Sequence, residues 1–506
     1  MTIIVQPKRW LLTDFRSDRA LQNFIKFNTV TKTDMFFQAT SAWTALYETD
    51  YNGVPALAVP RRFNTEILNR FVDIDNEEVI KDMTFWKESP RKINVESVPR
   101  DEEQKRMLDF LLGRGKYEKL SSTSRRALFA STGTGKTFLT LKAVSEKNLF
   151  TFINCPDKKA LLTWQQEIEK FTDITADEVG IMQGSDSLPK LLKSKEKYKI
   201  ILGSSKTFSA LIANNEYGTI TEFFEKMGFG LLVHDEVHLN LMVVFFLEMM
   251  TRTRNTFYLT ATIGRRMYKE SKILEALMPP ESATYVQAVK PRIEFFRCIF
   301  YSNPKEKSHT KGLQLPGGFN YIRHGKEYLL NEKYPYREPF LNEHLARVVK
   351  AARGALTNKS NKIAILSRTK EENTVIMESL TARYGNKLSI GLFNSDIVDM
   401  DERFKETDCQ LIISTDKSFA GIINIPNLEA IIITSPISAE QHLLQIVGRI
   451  RKQEGKRTLV YMLADASFGS CYRALGYAKS AISDHCVSIE DVHLNQSTKF
   501  STPFDD

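Results

Sequence analysis

The run Ala130-Ser-Thr-Gly133-Thr-Gly135-Lys136-Thr137 combines small side chains, a lysine and a hydroxyl between the apolar segment Ala127-Leu-Phe-Ala and the helical pattern from Phe138 to Val144. Small residues let main-chain N–H groups turn inward onto phosphate oxygens, and the start of a helix favours an anion. In that setting Lys136 neutralises β- and γ-phosphates and Thr137 offers its hydroxyl to Mg²⁺. Ala130 stands where the general pattern has its first glycine, which is tolerable if its φ is negative. A nucleotide-binding loop is the expectation.

A second constellation is Gly230-Leu-Leu-Val-His-Asp235-Glu236-Val-His238. Two carboxylates at the end of a buried strand are costly unless they meet a cation, and a strand-end Asp beside a phosphate loop is where Mg²⁺ is held. Asp235 is therefore the metal-side acid, with Thr137 as the other metal-side group. Glu236 is placed to orient the attacking water, and His238 to relay the state of the γ-phosphate. His234 and His238 are four apart, but a zinc hydrolase needs HExxH on a helix, and here the order is HDxxH on a strand-like run.

A third lies more than 300 residues after the loop: His442-Leu-Leu-Gln445-Ile-Val-Gly448-Arg449-Ile-Arg451-Lys452. Helical spacing puts Gln445, Arg449 and Lys452 on one face. Alone this is a basic amphipathic helix. Paired with a phosphate loop in another domain, Arg449 becomes a candidate arginine finger for the γ-phosphate.

Positioning these groups requires α/β architecture. From Ala127, short apolar strands alternate with amphipathic helices: Ala127–Ala130, Phe150–Asn154, Ile200–Gly203, Gly230–His234 and Thr256–Thr260. A second series follows: Arg292–Phe296, Lys362–Leu366, Leu411–Ser414, Ala430–Thr434 and Thr458–Met462. Such series predict parallel sheets whose ligands sit at the carboxyl ends of the strands. Residues 1–95, rich in aromatics and with an Asn52-Gly53 turn signal, predict a small α+β accessory domain. The polar stretch from Ser89-Pro90 to Pro99-Arg100 predicts a linker. The expected domains are 1–95, 96–288 and 289–480, with a basic insertion at about 303–340 read as a solvated loop or hairpin, and a polar tail at 481–506.

The chain has 506 residues, 42% hydrophobic and 26% charged, which excludes a disordered tail protein. The longest apolar run, Leu239 to Met250, is interrupted by Asn240 and Glu248 and is far short of a membrane span. With no secretory h-region and no CxxC pair among its five cysteines, the expectation is a cytoplasmic protein with reduced thiols. The net charge of +9 is compatible with a phosphate-backbone partner but does not by itself require one.

The order and separation of these signals resemble superfamily 2 helicases and nucleic-acid translocases over roughly residues 96–475. Pro99-Arg100 with Gln104 resembles the upstream glutamine motif, Ala130–Thr137 motif I, and Asp235–His238 the DExH form of motif II. Leu259-Thr260-Ala261-Thr262 resembles motif III, Ser414-Thr415 through Gly421 and Asn424-Ile-Pro426 motif V, and Gln445–Arg451 motif VI. Fainter matches are Pro156 with Trp164 (Ia), Gly184 (Ib), Gly203-Ser204-Ser205 (Ic) and Ser367-Arg368 (IV). Two departures stand out: Lys452 and Arg451 where motif VI usually ends in a correctly spaced arginine, and Asn424 where motif V often has aspartate. Within the superfamily the chain is most like phage UvsW-type branch-migration DNA helicases, and large-DNA-virus transcript-release helicases are also similar.

The resemblance implies two tandem RecA-like parallel-sheet domains using ATP and Mg²⁺. Lys136, Asp235, Glu236, Gln445 and Arg449 would carry catalysis, and Gln104, Gly133, Gly135, Lys136, Thr137, Arg449 and Arg451 would hold the nucleotide. His238, Thr260, Thr262 and Gly421 would couple hydrolysis to movement, and Ser204, Ser205, Thr415 and Lys158 would contact the strand. Single-stranded, forked or branched DNA is the implied partner, with RNA also open and 3′ to 5′ movement favoured. The whole reading requires Lys136 and Arg449 to face one another over one triphosphate. A small P-loop kinase or GTPase leaves the second domain unexplained. An ATP-gated clamp that holds nucleic acid without moving is the rival from outside the enzymes.

Overall fold

A computed structural model describes residues 2–6, 9–13, 15, 17–33, 39–44, 46–60, 78–120, 125–130, 133–261, 277–278, 283–287, 291–315, 318–354, 358, 361–393, 408–420, 425–449 and 458–495. The chain forms two compact units, Met1–Gln287 and Ala288–Asp506.

The first unit opens with strands β1 (Thr2–Val5), β2 (Arg9–Thr13), β3 (Thr29–Thr33), β4 (Ala39–Thr44), β5 (Tyr47–Tyr51), β6 (Val54–Pro60) and β7 (Glu78–Lys81). Five of them make a sheet in the order β5-β6-β2-β1-β7, and β3 and β4 form a separate hairpin. Asn52 and Gly53, at φ +53° and +82°, join β5 to β6 in the double left-handed conformation that a two-residue hairpin loop requires. One face of this sheet packs on the helix Asp18–Phe27 through Ile3, Leu12, Phe24, Leu57 and Val59. The other, through Ile4, Leu11, Tyr47 and Ala58, joins the core around the helix Leu241–Met250. Apart from the buried Glu248, that helix is apolar all round because both sides of it are covered. Its C-terminal carbonyl at Met249 accepts from Arg9 Nη1 (2.6 Å) and Tyr47 Oη (3.2 Å), so the N-terminal sheet caps a helix of the adjoining layer.

The parallel sheet of this unit contains β8 (Arg125–Phe129), β9 (Thr151–Cys155), β10 (Val179–Met182), β11 (Ile200–Ser204), β12 (Leu231–His234), β13 (Asn255–Thr260) and β14 (Thr284–Val286), in the order β10-β11-β9-β12-β13-β8-β14. Alternate residues feed two cores: Phe129, Phe152, Ile201 and Leu232 on one face, Leu128, Ile153, Leu202 and Val233 on the other. The stretch Ser89–Arg100, expected as a linker, is instead laid along this unit. Ser89 N–H donates to Gly228 O and accepts at its carbonyl from Phe150 N–H, both at 2.9 Å, while Ile93 and Val95 are buried. Main-chain hydrogen bonds and two buried apolar side chains in a polar run fasten it.

The second unit contains β15 (Ile293–Phe300), a short hairpin of β16 (Gln314–Leu315) and β17 (Gly318–Phe319), then β18 (Lys362–Ser367), β19 (Ile390–Phe393), β20 (Leu411–Thr415), β21 (Leu428–Ile433), β22 (Thr458–Asp465) and β23 (Cys486–His493). Its sheet is also all parallel, in the order β19-β20-β18-β21-β22-β15-β23. Two sequence expectations are corrected here. The 303–340 segment is not a solvated loop: Tyr328, Leu329, Tyr336 and Phe340 are buried in the core, and Tyr328 stacks on Tyr336 at 4.4 Å. The tail does not begin at 481, because β23 pairs with β15. Its mixed burial hides it from a search for apolar runs. Cys155, Cys298 and Cys471 are buried, and all five cysteines are free thiols. No helix among the described residues is long and apolar enough to cross a membrane.

Candidate functional site

The loop after β8 is anchored where the Ala130 N–H donates to Thr260 O at 3.0 Å. Ala130 is absent from the positive-φ residues, as its place in the loop requires, whereas Gly133 and Gly135 lie at φ +75° and +90°. Gly135 caps the helix Lys136–Lys147. A Cβ there would come within 2.5 Å of Gln104 Nε2, so this glycine answers to space as well as to backbone. Lys136 Nζ donates to Ala130 O at 2.7 Å, and Thr137 lies half-buried in the first turn of the helix. Gln104 is buried on the helix Glu102–Leu112. Its Nε2 donates to Thr134 O (2.7 Å), and its Oε1 accepts from Arg100 N–H (3.0 Å). One end of this carboxamide thus braces the loop's main chain, and the other holds the chain at Arg100.

β12 delivers the two acids. Asp235 N–H donates to Asn154 O at 3.0 Å, and Asp235 Oδ2 accepts from Trp164 Nε1 at 2.9 Å. Burial, and then the neighbouring Glu236, push the Asp235 carboxyl up to about 6 against the opposing pull of Trp164 and Lys136. Glu236 sits in the left-handed region at φ +44°, a strained place for a side chain of this size. Its Oε2 is buried without a hydrogen bond and lies 3.4 Å from His238 Nδ1. His238 Nδ1 is in turn 2.6 Å from Thr260 Oγ1 at the end of β13. Carboxylate oxygens are the hard ligands that Mg²⁺ takes, and Lys136 stands close enough to Asp235 to oppose the rise of its carboxyl.

The candidate strand contacts of this unit divide. Lys158 is exposed at the start of the helix Lys158–Phe171. Ser204 and Ser205 are buried: Ser204 Oγ caps Lys206 N–H at 3.3 Å, and Ser205 Oγ donates to Asn154 Oδ1 at 3.1 Å. A contact here falls to the main-chain N–H groups at the helix start, with the hydroxyls turned inward. Sequence reasoning missed Asn154, which reaches Ser205, His234 (3.3 Å to Nδ1) and the Asp235 main chain. It also missed the chain beyond it, from His234 Nε2 to Glu248 Oε1 (3.2 Å) and from Glu248 Oε2 to Arg125 Nε (3.5 Å). A histidine inside an apolar strand and a glutamate inside an apolar helix were the available signals.

In the second unit, Thr415 ends β20, and its Oγ1 accepts from Ser418 N–H at 3.2 Å. Beside it the buried Asp416 pairs with Arg368 and lies 3.3 Å from His442 Nε2. The Arg368 guanidinium also donates to Pro436 O and stands 5.5 Å from the Tyr321 ring. The helix Glu440–Val447 carries a half-buried Gln445 but stops before Gly448. The turn continues beyond it, with the Gly448 N–H donating to Leu444 O at 2.9 Å and the Arg449 N–H to Ile446 O at 3.1 Å. The Arg449 guanidinium donates to Ala420 O. Thr262, Gly421 and Arg451, with Asn424 and Lys452, lie outside the described residues.

Comparison with known proteins adds four findings. Residues 97–265 match the family described as type III restriction enzyme, res subunit. The transcript termination protein A18 of fowlpox virus is 22% identical over 347 residues, 65% of this chain and 67% of that protein. The DNA 3′-5′ helicase XPB of Mycobacterium tuberculosis is 24% identical over 147 residues, 29% of this chain and 25% of that protein. Among solved structures, the ATP-dependent type ISP restriction-modification enzyme LlaBIII bound to DNA superposes with a TM-score of 0.50 at 16% identity, covering 80% of this chain and 32% of that one. The family match spans the phosphate loop and the paired acids, and the likeness to LlaBIII is one of fold.

Proposed function

We propose that this chain is an ATP-driven DNA helicase or translocase of viral origin that remodels forked or branched DNA in replication, recombination or repair, acting in the host cytoplasm. The observation that supports it most is the meeting of Lys136, Asp235, Glu236 and the His238–Thr260 pair at the carboxyl end of one parallel sheet. In this reading Lys136 and the loop glycines bind the triphosphate, and Gln104 supports the loop beside the base. Thr137 and Asp235 would hold Mg²⁺, which would supply neutralising charge to the β- and γ-phosphates. Glu236 orients the attacking water and accepts its proton. His238 and Thr260, with Thr262 and Gly421, pass the change to the strand contacts at Lys158, Ser204, Ser205 and Thr415. Arg449 and Arg451 supply positive charge to the γ-phosphate from the second unit, and Gln445 supplies a neutral hydrogen-bonding carboxamide. Strand contacts through phosphate make binding weakly sequence-selective and strongly salt-dependent.

The test is the ATPase rate titrated with single-stranded, duplex and forked DNA and then with RNA. Forked DNA should give the largest stimulation, and a rate that no nucleic acid changes would sink the proposal. A second reading, release of a transcript from a DNA template, is favoured by the likeness to poxvirus transcript termination proteins. Greater activity on a stalled transcript complex than on a bare fork would select it.

A further inference from the structure

We propose that Trp164 is a positioning residue for the metal-side acid: its indole N–H fixes the orientation in which the Asp235 carboxylate meets a divalent cation. The inference rests on the assignment of Asp235 above. Trp164 is one of the largest fully buried side chains, at 2% exposure. On the helix Lys158–Phe171 it shares a buried face with Leu161 and Ile168, three residues before it and four after. Packing alone would be satisfied there by Leu or Phe. An indole brings a donor with no acceptor capacity, and a buried N–H must find a partner. The partner is Asp235 Oδ2 at 2.9 Å, 71 residues away in the chain. A donor to a carboxylate makes a stronger and more directional bond than a neutral pair.

The main chain of Asp235 is separately fixed, because its N–H donates to Asn154 O at 3.0 Å. With the backbone held by β9 and one carboxylate oxygen held by the indole, rotation about the side-chain bonds is restrained before any cation arrives. Ligand orientation by such outer partners is commonly worth about 10–100-fold in metal affinity. The single indole N–H is given to Asp235, so the expected loss falls on the cation rather than on the nucleotide.

The test measures Mn²⁺ binding to the full chain in the presence of ADP by electron paramagnetic resonance, for Trp164→Phe, Asp235→Asn and Leu161→Ala. Trp164→Phe keeps an aromatic ring and removes the donor. It should weaken Mn²⁺ binding by about 10–100-fold and raise the Mg²⁺ concentration at half-maximal ATPase, with a smaller change in the KM for ATP at saturating Mg²⁺. Leu161→Ala should lower the thermal midpoint and leave Mn²⁺ affinity as in the wild type, which separates orientation from packing. Wild-type Mn²⁺ affinity in Trp164→Phe, with a clear loss in Asp235→Asn, overturns the role of Trp164. Wild-type affinity in Asp235→Asn as well overturns the assignment of Asp235 itself. Should Trp164→Phe not fold, the intrinsic fluorescence of the otherwise unaltered protein decides. Titrating Mg²⁺ into the ADP complex should shift the indole emission, and Asp235→Asn should abolish the shift. No shift in the wild type refutes the proposal.

Discussion

The two parallel sheets share one plan and differ at its ends. Numbered in chain order within each sheet, both run 3-4-2-5-6-1-7. Yet the first strand of one leads into the loop of Lys136, and the first strand of the other into Tyr301-Ser302-Asn303-Pro304. The fifth strand ends in Asp235-Glu236 in one and Thr434-Ser435-Pro436 in the other. At the sixth, Thr260 meets His238, whereas Asp465 meets His324 at 3.2 Å, a residue of the segment inserted after the first strand. Burial pushes the Asp465 carboxyl up, but His324 and Ser302 outweigh it and hold the group below the ordinary carboxylate range. The first sheet therefore keeps its acids near a lysine and a glycine loop. The second closes the corresponding end with its own side chains. A repeated scaffold does not repeat a function; the residues grafted on its strand ends decide that.

The sharpest way to break this asymmetry is through the arginine that the second unit is proposed to lend. Arg449→Ala should lower kcat by about 10³-fold or more while ATP still binds, measured by steady-state hydrolysis beside nucleotide titration. A variant with wild-type kcat would leave the second unit without a role in hydrolysis. Glu236→Gln should lower kcat by about 10²–10⁴-fold with ATP affinity nearly kept; normal turnover in the presence of DNA would remove Glu236 as the water-orienting group.

Smaller effects compare how each unit treats buried charge. Glu248→Ala leaves Arg125 and His234 without their acid in the first core, and should cost about 3–5 kcal/mol in chemical denaturation. In the second unit, burial pushes the Glu372 carboxyl up to about 7, with Asp416 and Glu371 adding to it and Arg368 opposing. A folded-state value above the unfolded one, 4.5, means that the folded protein binds this proton more tightly. Stability should therefore fall as pH rises from about 4.5 to about 7. Glu372→Gln should flatten that decline by on the order of 1–3 kcal/mol, seen in thermal midpoints across that window. Least of all, Asp491→Asn, which removes a 41% exposed partner of Arg297 on the edge strand, should change stability by less than about 1 kcal/mol.

The same contrast explains what could be read from the chain beforehand. The five inner strands of each sheet, such as β12 and β20, are buried on both faces and show as continuous apolar runs. The edge strands β10, β14, β19 and β23 did not show, because one side of each has no neighbouring strand and its burial is mixed. At the site, residues adjacent in sequence were legible: the phosphate loop, the acids and His238. Partners brought together only by folding were not. Nothing in the local sequence around Trp164 names Asp235, and nothing around Glu372 says that its Oε1 will press on Gly325, where a Cβ would lie only 2.4 Å away.

Glu236 occupies a backbone conformation that glycine or asparagine would enter at lower cost. Laboratory evolution that rewards only survival of heating should therefore enrich those replacements at this codon. Their enrichment would mark the point at which the chain trades resilience for work, since each erases the carboxylate proposed to orient the water.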